Sequence, residues 1–83
     1  MQLLYFARVR ETIGIDAEQR DFPDTVITIS DCLDWLSAQN GNYAEAFADL
    51  AKLRFALDQQ IAKIDARLEN AAELAIFPPV TGG

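Results

Sequence analysis

Residues 73–83 read ELAIFPPVTGG. In the first five, Leu74 and Ile76 fall on one parity, Ala75 and Phe77 on the other. That alternation predicts a strand over 73–77 with Leu74 and Ile76 turned to a core. Pro78-Pro79 ends it. Each proline ring fixes φ, and each biases the residue before it toward extended backbone. The chain should therefore leave its last strand straight and stiff, as a tail over 78–83.

Upstream, residues 2–9 also read as a strand, with Leu3, Tyr5, Ala7 and Val9 on the core parity. The other parity, Gln2, Leu4, Phe6 and Arg8, is mixed and should face water, which puts a large aromatic, Phe6, outside. A polar turn over 10–14 and a second strand over 17–22, stopped by Pro23-Asp24, complete an expected hairpin. Residues 28–39 carry a helical stripe, Ile29, Cys32, Leu33 and Leu36, behind a Thr28/Asp31 capping pair. Asn40-Gly41 should stop it. A second short helix is expected over 42–51, capped by Asn42 and burying Tyr43, Phe47 and Leu50. Strand pattern returns over 53–59, with Phe55 and Leu57 inward and Arg54, Ala56 and Asp58 outward, and again over 61–64. Residues 66–72 have a helix-favouring composition but are too short to assign. The order predicts an α+β domain, with helices packed on one face of a mixed sheet.

Composition narrows function by exclusion. The 83 residues contain no histidine, one cysteine, four glycines and a net charge of −6. Without histidine the usual general base near neutral pH and the commonest metal ligand are missing. One cysteine cannot build the usual zinc site, so no metal is expected. Gly14, Gly41, Gly82 and Gly83 cannot assemble a P-loop or a dinucleotide fingerprint. A self-sufficient enzyme is not expected. The acidic balance argues against nucleic acid, which requires a basic surface, and suits docking to basic clefts on other proteins. No segment approaches the ~20 apolar residues of a membrane span, and the N-terminus lacks a basic leader. With a lone Cys32 and no disulfide framework, a cytoplasmic location is expected.

The remaining features point to the tail and one surface. Cys32 lies on the helix stripe and reads as a small buried hydrophobe. The carboxylates are scattered along helix faces. Phe6, Ile61 and Phe77 are outward-facing apolars from three strand regions, and together they form a candidate docking patch. Beyond Pro79, Val80, Thr81, Gly82 and Gly83 span about 13 Å when extended. Such a rod fits a narrow tunnel, because glycine lets another backbone approach closely. An ionised carboxylate at its end is a poor electrophile until another enzyme activates it.

IFPPVTGG, behind Glu73-Leu74-Ala75, resembles the end of the small, sulfur-carrying subunits of molybdopterin synthase. LLYFARVRETIG, TISDCLDWLSAQ and FALDQQI are similar to other stretches of that family, so the resemblance spans essentially the whole chain. Two stretches depart from the family pattern. Asn70-Ala71-Ala72 stands where glycine and acidic residues are usual, and Asp58 where asparagine is common.

The resemblance implies a β-grasp (ubiquitin-like) domain over 1–77 and an extended tail over 78–83. It implies that a partner adenylyltransferase uses ATP to adenylate the Gly83 carboxylate. A sulfur donor enzyme then converts it to a thiocarboxylate. Pro78, Pro79, Val80, Thr81 and Gly82 would carry that sulfur into the large synthase subunit, in a heterotetramer of two small and two large chains. Phe6, Ile61 and Phe77 would match the family's docking surface. Two alternatives stay open. One is a sulfur carrier for thiamine or tRNA thiolation, or a ubiquitin-like modifier. The other is an interaction module whose Pro-Pro tail docks on an aromatic groove.

Overall fold

Local chemistry sets each element. The computed structural model describes residues 1–79. Strand β1 (Gln2–Tyr5) is followed by helix α1 (Ala7–Ile13) and strand β2 (Ala17–Gln19). Helices α2 (Ile29–Gln39) and α3 (Gly41–Ala46) and a 3-10 turn over Leu50–Lys52 come next. Strands β3 (Arg54–Leu57), β4 (Gln60–Ala62) and β5 (Glu73–Phe77) complete the domain.

The α2 stripe and its cap form as expected. The Thr28 hydroxyl accepts from the Asp31 N–H at 3.1 Å, and the Asp31 carboxylate accepts from the Thr28 N–H at 3.1 Å. Two otherwise unpaired backbone donors are thereby satisfied. Ile29, Cys32, Leu33 and Leu36 are all buried.

The first strand is shorter than its pattern predicts. It ends at Tyr5, and Ala7 takes a left-handed φ of 51° that turns the chain into α1. Val9 therefore reaches the core as a helical residue, four before Ile13, while Ala7 is exposed. Val9 satisfies both periodicities, and no glycine or proline marks the turn, so the strand pattern runs on past it. The segment expected as a polar turn over 10–14 is the rest of this helix. Gly14, at φ 99°, closes it by donating its N–H to the Arg10 carbonyl at 2.8 Å.

Further boundaries move. Strand β2, expected to run to 22, ends at Gln19. Asn40 does not simply stop α2. Its side chain accepts from the Asn42 N–H and caps α3, which ends at Ala46 rather than at 51. Leu50, expected inside, is 49% exposed on the 3-10 turn, while Tyr43 and Phe47 are buried. Residues 66–72 form a loop with a turn at Glu69-Asn70, with Leu68 anchored in the core and Arg67 bridged to Thr28.

The five strands form one mixed sheet in the order β2-β1-β5-β3-β4. β5 lies parallel to β1 and antiparallel to β3. Leu3, Tyr5, Phe55, Leu74 and Ile76 from the sheet join Val9, Ile13, Ile29, Cys32, Leu33, Leu36, Tyr43 and Phe47 from the helical layer in a single cluster. All three helices thus cover one face of the sheet, the α+β, β-grasp arrangement.

A polar clamp secures the β2 edge of that layer. The Glu18 carboxylate accepts from the hydroxyls of Tyr5 (2.7 Å) and Tyr43 and from the Arg20 Nε (2.8 Å). The Arg20 guanidinium also lies over the Trp35 and Tyr43 rings. Among the described residues, no buried side-chain nitrogen or oxygen lacks a partner.

Candidate docking face and tail exit

The outer face of the sheet is built by register. Leu4 stands opposite Ala17 on one side and Ala75 on the other. Ala75 stands opposite Ala56, and Ala56 opposite Ile61. One apolar residue from every strand therefore lies in a single row across the sheet. None of the five belongs to the core cluster. Ala56 and Ala75, at the centre, are each 8% exposed, because small side chains in the middle of a sheet are shaded by their neighbours.

Next to this row, toward the tail, lie Phe6 and Phe77. Tyr5 pairs with Ile76, and the Phe6 N–H continues the ladder by donating to the Ile76 carbonyl at 3.2 Å. Phe6 and Phe77 are thus neighbours on adjacent strands, while Ile61 sits two strands away on the β4 edge. The three sequence-predicted residues share one face. Phe6 is 45% and Ile61 77% exposed, whereas Phe77 is partly covered. The row of Leu4, Ala75 and Ala56 joins them into one surface. Parity placed each of these outward, but strand order, which sets the continuity, is not written in any local pattern.

Two turns hold this face in place. Asp58 and Gln59 take left-handed φ values of 48° and 70° in the β3–β4 hairpin. The Asp58 carboxylate then accepts from the N–H groups of Ala72 (2.9 Å) and Glu73 (3.0 Å). Aspartate tolerates left-handed backbone and bonds locally, as asparagine does. One short acid therefore ties the hairpin to the start of β5, in the stretch where Asn70-Ala71-Ala72 supplies no such group.

The tail leaves from the same end as Phe6. Pro78 and Pro79 follow β5 directly and are half-buried. A cleft of about 140 Å³ opens at this root, lined among others by Pro78, Arg8, Thr12, Glu45, Asp49 and Lys52. Two cations face two carboxylates, so the cleft favours neither sign of ligand. Val80, Thr81, Gly82 and Gly83, expected to carry the chemistry, lie outside the described residues.

The rest of the described chain has little to offer a reaction. Cys32 is fully buried, and burial pushes its thiol up to about 12, so the nucleophilic thiolate is suppressed. Burial tends to raise the Glu18 carboxyl, but hydrogen bonds from Tyr43, Tyr5 and Arg20 outweigh it and hold it below the ordinary value. Such a group is an ionised structural acceptor. Among the described residues no group of three or more His, Cys, Asp or Glu is placed to hold a metal ion. None of their helices is long and apolar enough to cross a membrane.

Comparison with known proteins agrees with the fold. A family model described as the ThiS family matches residues 3–83. The molybdopterin synthase sulfur carrier subunit of Escherichia coli (strain K12) is 39% identical over 85 residues, covering 100% of this chain and 99% of that protein. The crystal structure of SAMP1 from Haloferax volcanii superposes with a TM-score of 0.75 at 27% identity, covering 100% of this chain and 98% of that one. The crystal structure of H. volcanii small archaeal modifier protein 1 gives a TM-score of 0.73 at 28% identity, covering 96% and 97%.

Proposed function

The chain belongs to the ThiS family, and we propose that it is the sulfur carrier of molybdopterin synthesis, working as the small subunit of the synthase. One observation carries the reading: the likeness to the E. coli sulfur carrier subunit covers all of this chain, and the family match runs through Gly83. The chemistry of the residues supports it. A chain with no histidine and a buried cysteine needs catalytic groups from partners. An open apolar face beside a proline-stiffened exit suits a subunit that docks and inserts its end.

The proposed sequence balances as follows. A Gly83 carboxylate oxygen attacks the α-phosphorus of ATP on the adenylyltransferase, and pyrophosphate leaves. This turns a poor leaving group into a good one. The terminal sulfur of a donor persulfide attacks the acyl carbon and AMP departs. This forms a C–S bond and leaves an acyl disulfide. A thiol then attacks the donor's sulfur, breaking the S–S bond carried over from the persulfide, forming a disulfide with the donor and releasing the thiocarboxylate on Gly83. The large subunit receives the tail over 78–83 and passes the sulfur to the pterin precursor. Phe6, Ile61 and Phe77 anchor both partners in turn.

The test is intact mass after incubation with adenylyltransferase, ATP and a persulfide donor. A gain of about 16 Da on Gly83 is expected, since sulfur replaces oxygen in the covalent step. An unchanged mass under conditions that modify a known carrier would sink the reading. Deleting Gly83 should abolish the gain and leave the melting curve unchanged. A second reading, a protein modifier, is favoured by the likeness to small archaeal modifier protein 1. It predicts an isopeptide bond from Gly83 to a lysine of a target instead of a stable thiocarboxylate.

A further inference from the structure

The open face carries charge in a particular order. Its apolar middle row is flanked at the tail end by Arg54, opposite Phe77 on the neighbouring strand. At the other end stand Glu73, opposite Gln2, and Asp58, whose N–H donates to the Glu73 carbonyl. Arg54 is exposed and Glu73 partly so. Arg54 and Glu73 thus bracket the apolar row with opposite signs.

A surface with this pattern is complementary to itself. Turn a second copy by a half-rotation about an axis lying in the face, along the apolar row. The row meets itself, and each Arg54 meets Asp58 of the other copy, with Glu73 one strand to the side. Such an isologous contact repeats every favourable pair twice. We propose that the isolated chain pairs with a second copy through this face, as an antiparallel, face-to-face dimer.

The area limits how strong the pairing is. Five strands about 4.8 Å apart and four residues deep give a face of roughly 300 Å². Stable interfaces bury about 800 Å² per partner. The dimer is therefore weak and exchanging. On the reading of this face as the docking face, self-pairing keeps Ile61 and its neighbours covered between engagements, yet yields to a partner that also binds the tail.

Charge reversal separates local pairing from general repulsion. Each copy carries −6, so copies repel overall. Glu73→Lys makes the net charge less negative and would tighten any association governed by net charge alone. Local pairing requires the opposite, because the introduced ammonium would lie only one strand away from Arg54 of the other copy. The experiment uses the full unmodified chain, with sedimentation equilibrium and amide NMR from about 10 µM to about 1 mM, the range in which weak pairing is read. Concentration-dependent shifts are expected at residues 4, 56, 61, 75 and 77. Arg54→Glu and Glu73→Lys should each weaken pairing by at least about fivefold, and combining both in one chain should restore it to within about twofold. Arg54→Glu, alone or combined, also removes the bonds its guanidinium makes to the Ala51 and Leu53 carbonyls, so Glu73→Lys alone, which leaves them intact, keeps the test decisive. A monomer at the highest concentration, tighter pairing of Glu73→Lys, or shifts confined to another surface would each overturn the proposal. No partner enzyme is present, so failure here leaves the sulfur-carrier reading standing, and the mass test leaves this one standing.

Discussion

The two faces of the sheet are made of similar residues and serve opposite ends. On the inner face Leu3, Leu74 and Ile76 are fully buried beneath three helices. On the outer face, one register position away, Leu4, Ala75 and Ile61 form an apolar row outside the core cluster. Hydrophobicity alone does not tell them apart; parity and coverage do. The inner face stores the stability of the domain, and the outer face is the one proposed for docking.

Substitution should separate the two most sharply at matched positions. Leu74→Ala is expected to cost about 3 kcal/mol in denaturant unfolding, because a fully buried leucine leaves a cavity. Ile61→Ala should change stability by less than about 0.5 kcal/mol, since the side chain is 77% exposed. On the docking proposal it should still weaken capture by the large synthase subunit at least about tenfold, as a truncated apolar anchor does. Equal stability losses at the two sites would erase the distinction between the faces.

The hairpin that sets the outer register comes next in size. Asp58→Ala removes the acceptor for two N–H groups and leaves alanine in left-handed backbone. A loss of about 2 kcal/mol is expected, with Asp58→Asn recovering most of it in the same unfolding assay.

Acid should attack the inner face through its polar edge. Glu18 has a folded pKa below its unfolded value, so its contribution is complete above the ordinary carboxylate range and is lost as pH falls through the lowered folded value. Asp31 is lowered as well, by the Ile27 and Thr28 N–H groups. Glu18→Gln should cost about 1–2 kcal/mol at neutral pH and flatten, without abolishing, the acid-side fall in melting temperature. A slope unchanged by Glu18→Gln would place the acid sensitivity elsewhere.

The smallest effect is expected where the faces diverge. Ala7→Gly relieves the left-handed strain but frees the unfolded chain, so the net change should stay within about 1 kcal/mol. A larger loss in the unfolding assay would show that the Ala7 methyl holds Phe6 in position.

The sequence made some of this legible and hid the rest for identifiable reasons. β5 was readable in full because its alternation runs into two prolines, and α2 because a complete apolar stripe follows a capping pair. Helix α1 was not, since Val9 fits two periods and the turn at Ala7 uses an alanine. Leu68 is not legible because a core residue in a loop has no period to reveal it. Phe6, Ile61 and Phe77 could be assigned a side but not neighbours, because adjacency depends on long-range pairing of strands. Leu4 and Ala75 looked unremarkable for the same reason, although they fill the space between those three.

The position of β5 has a consequence for how the molecule is made. The central strand of the sheet is synthesised after the other four, and it pairs with the first of them, β1. Contacts so distant in sequence slow folding, and β1 has no central neighbour until residues 73–77 emerge. A nascent chain interrupted earlier has an unfilled gap between β1 and β3 and exposed strand edges, the marks of a product open to degradation. The fold therefore acts as its own proofreader: only a chain translated past Phe77 can close the sheet, and closing the sheet is what fixes the point from which the tail departs.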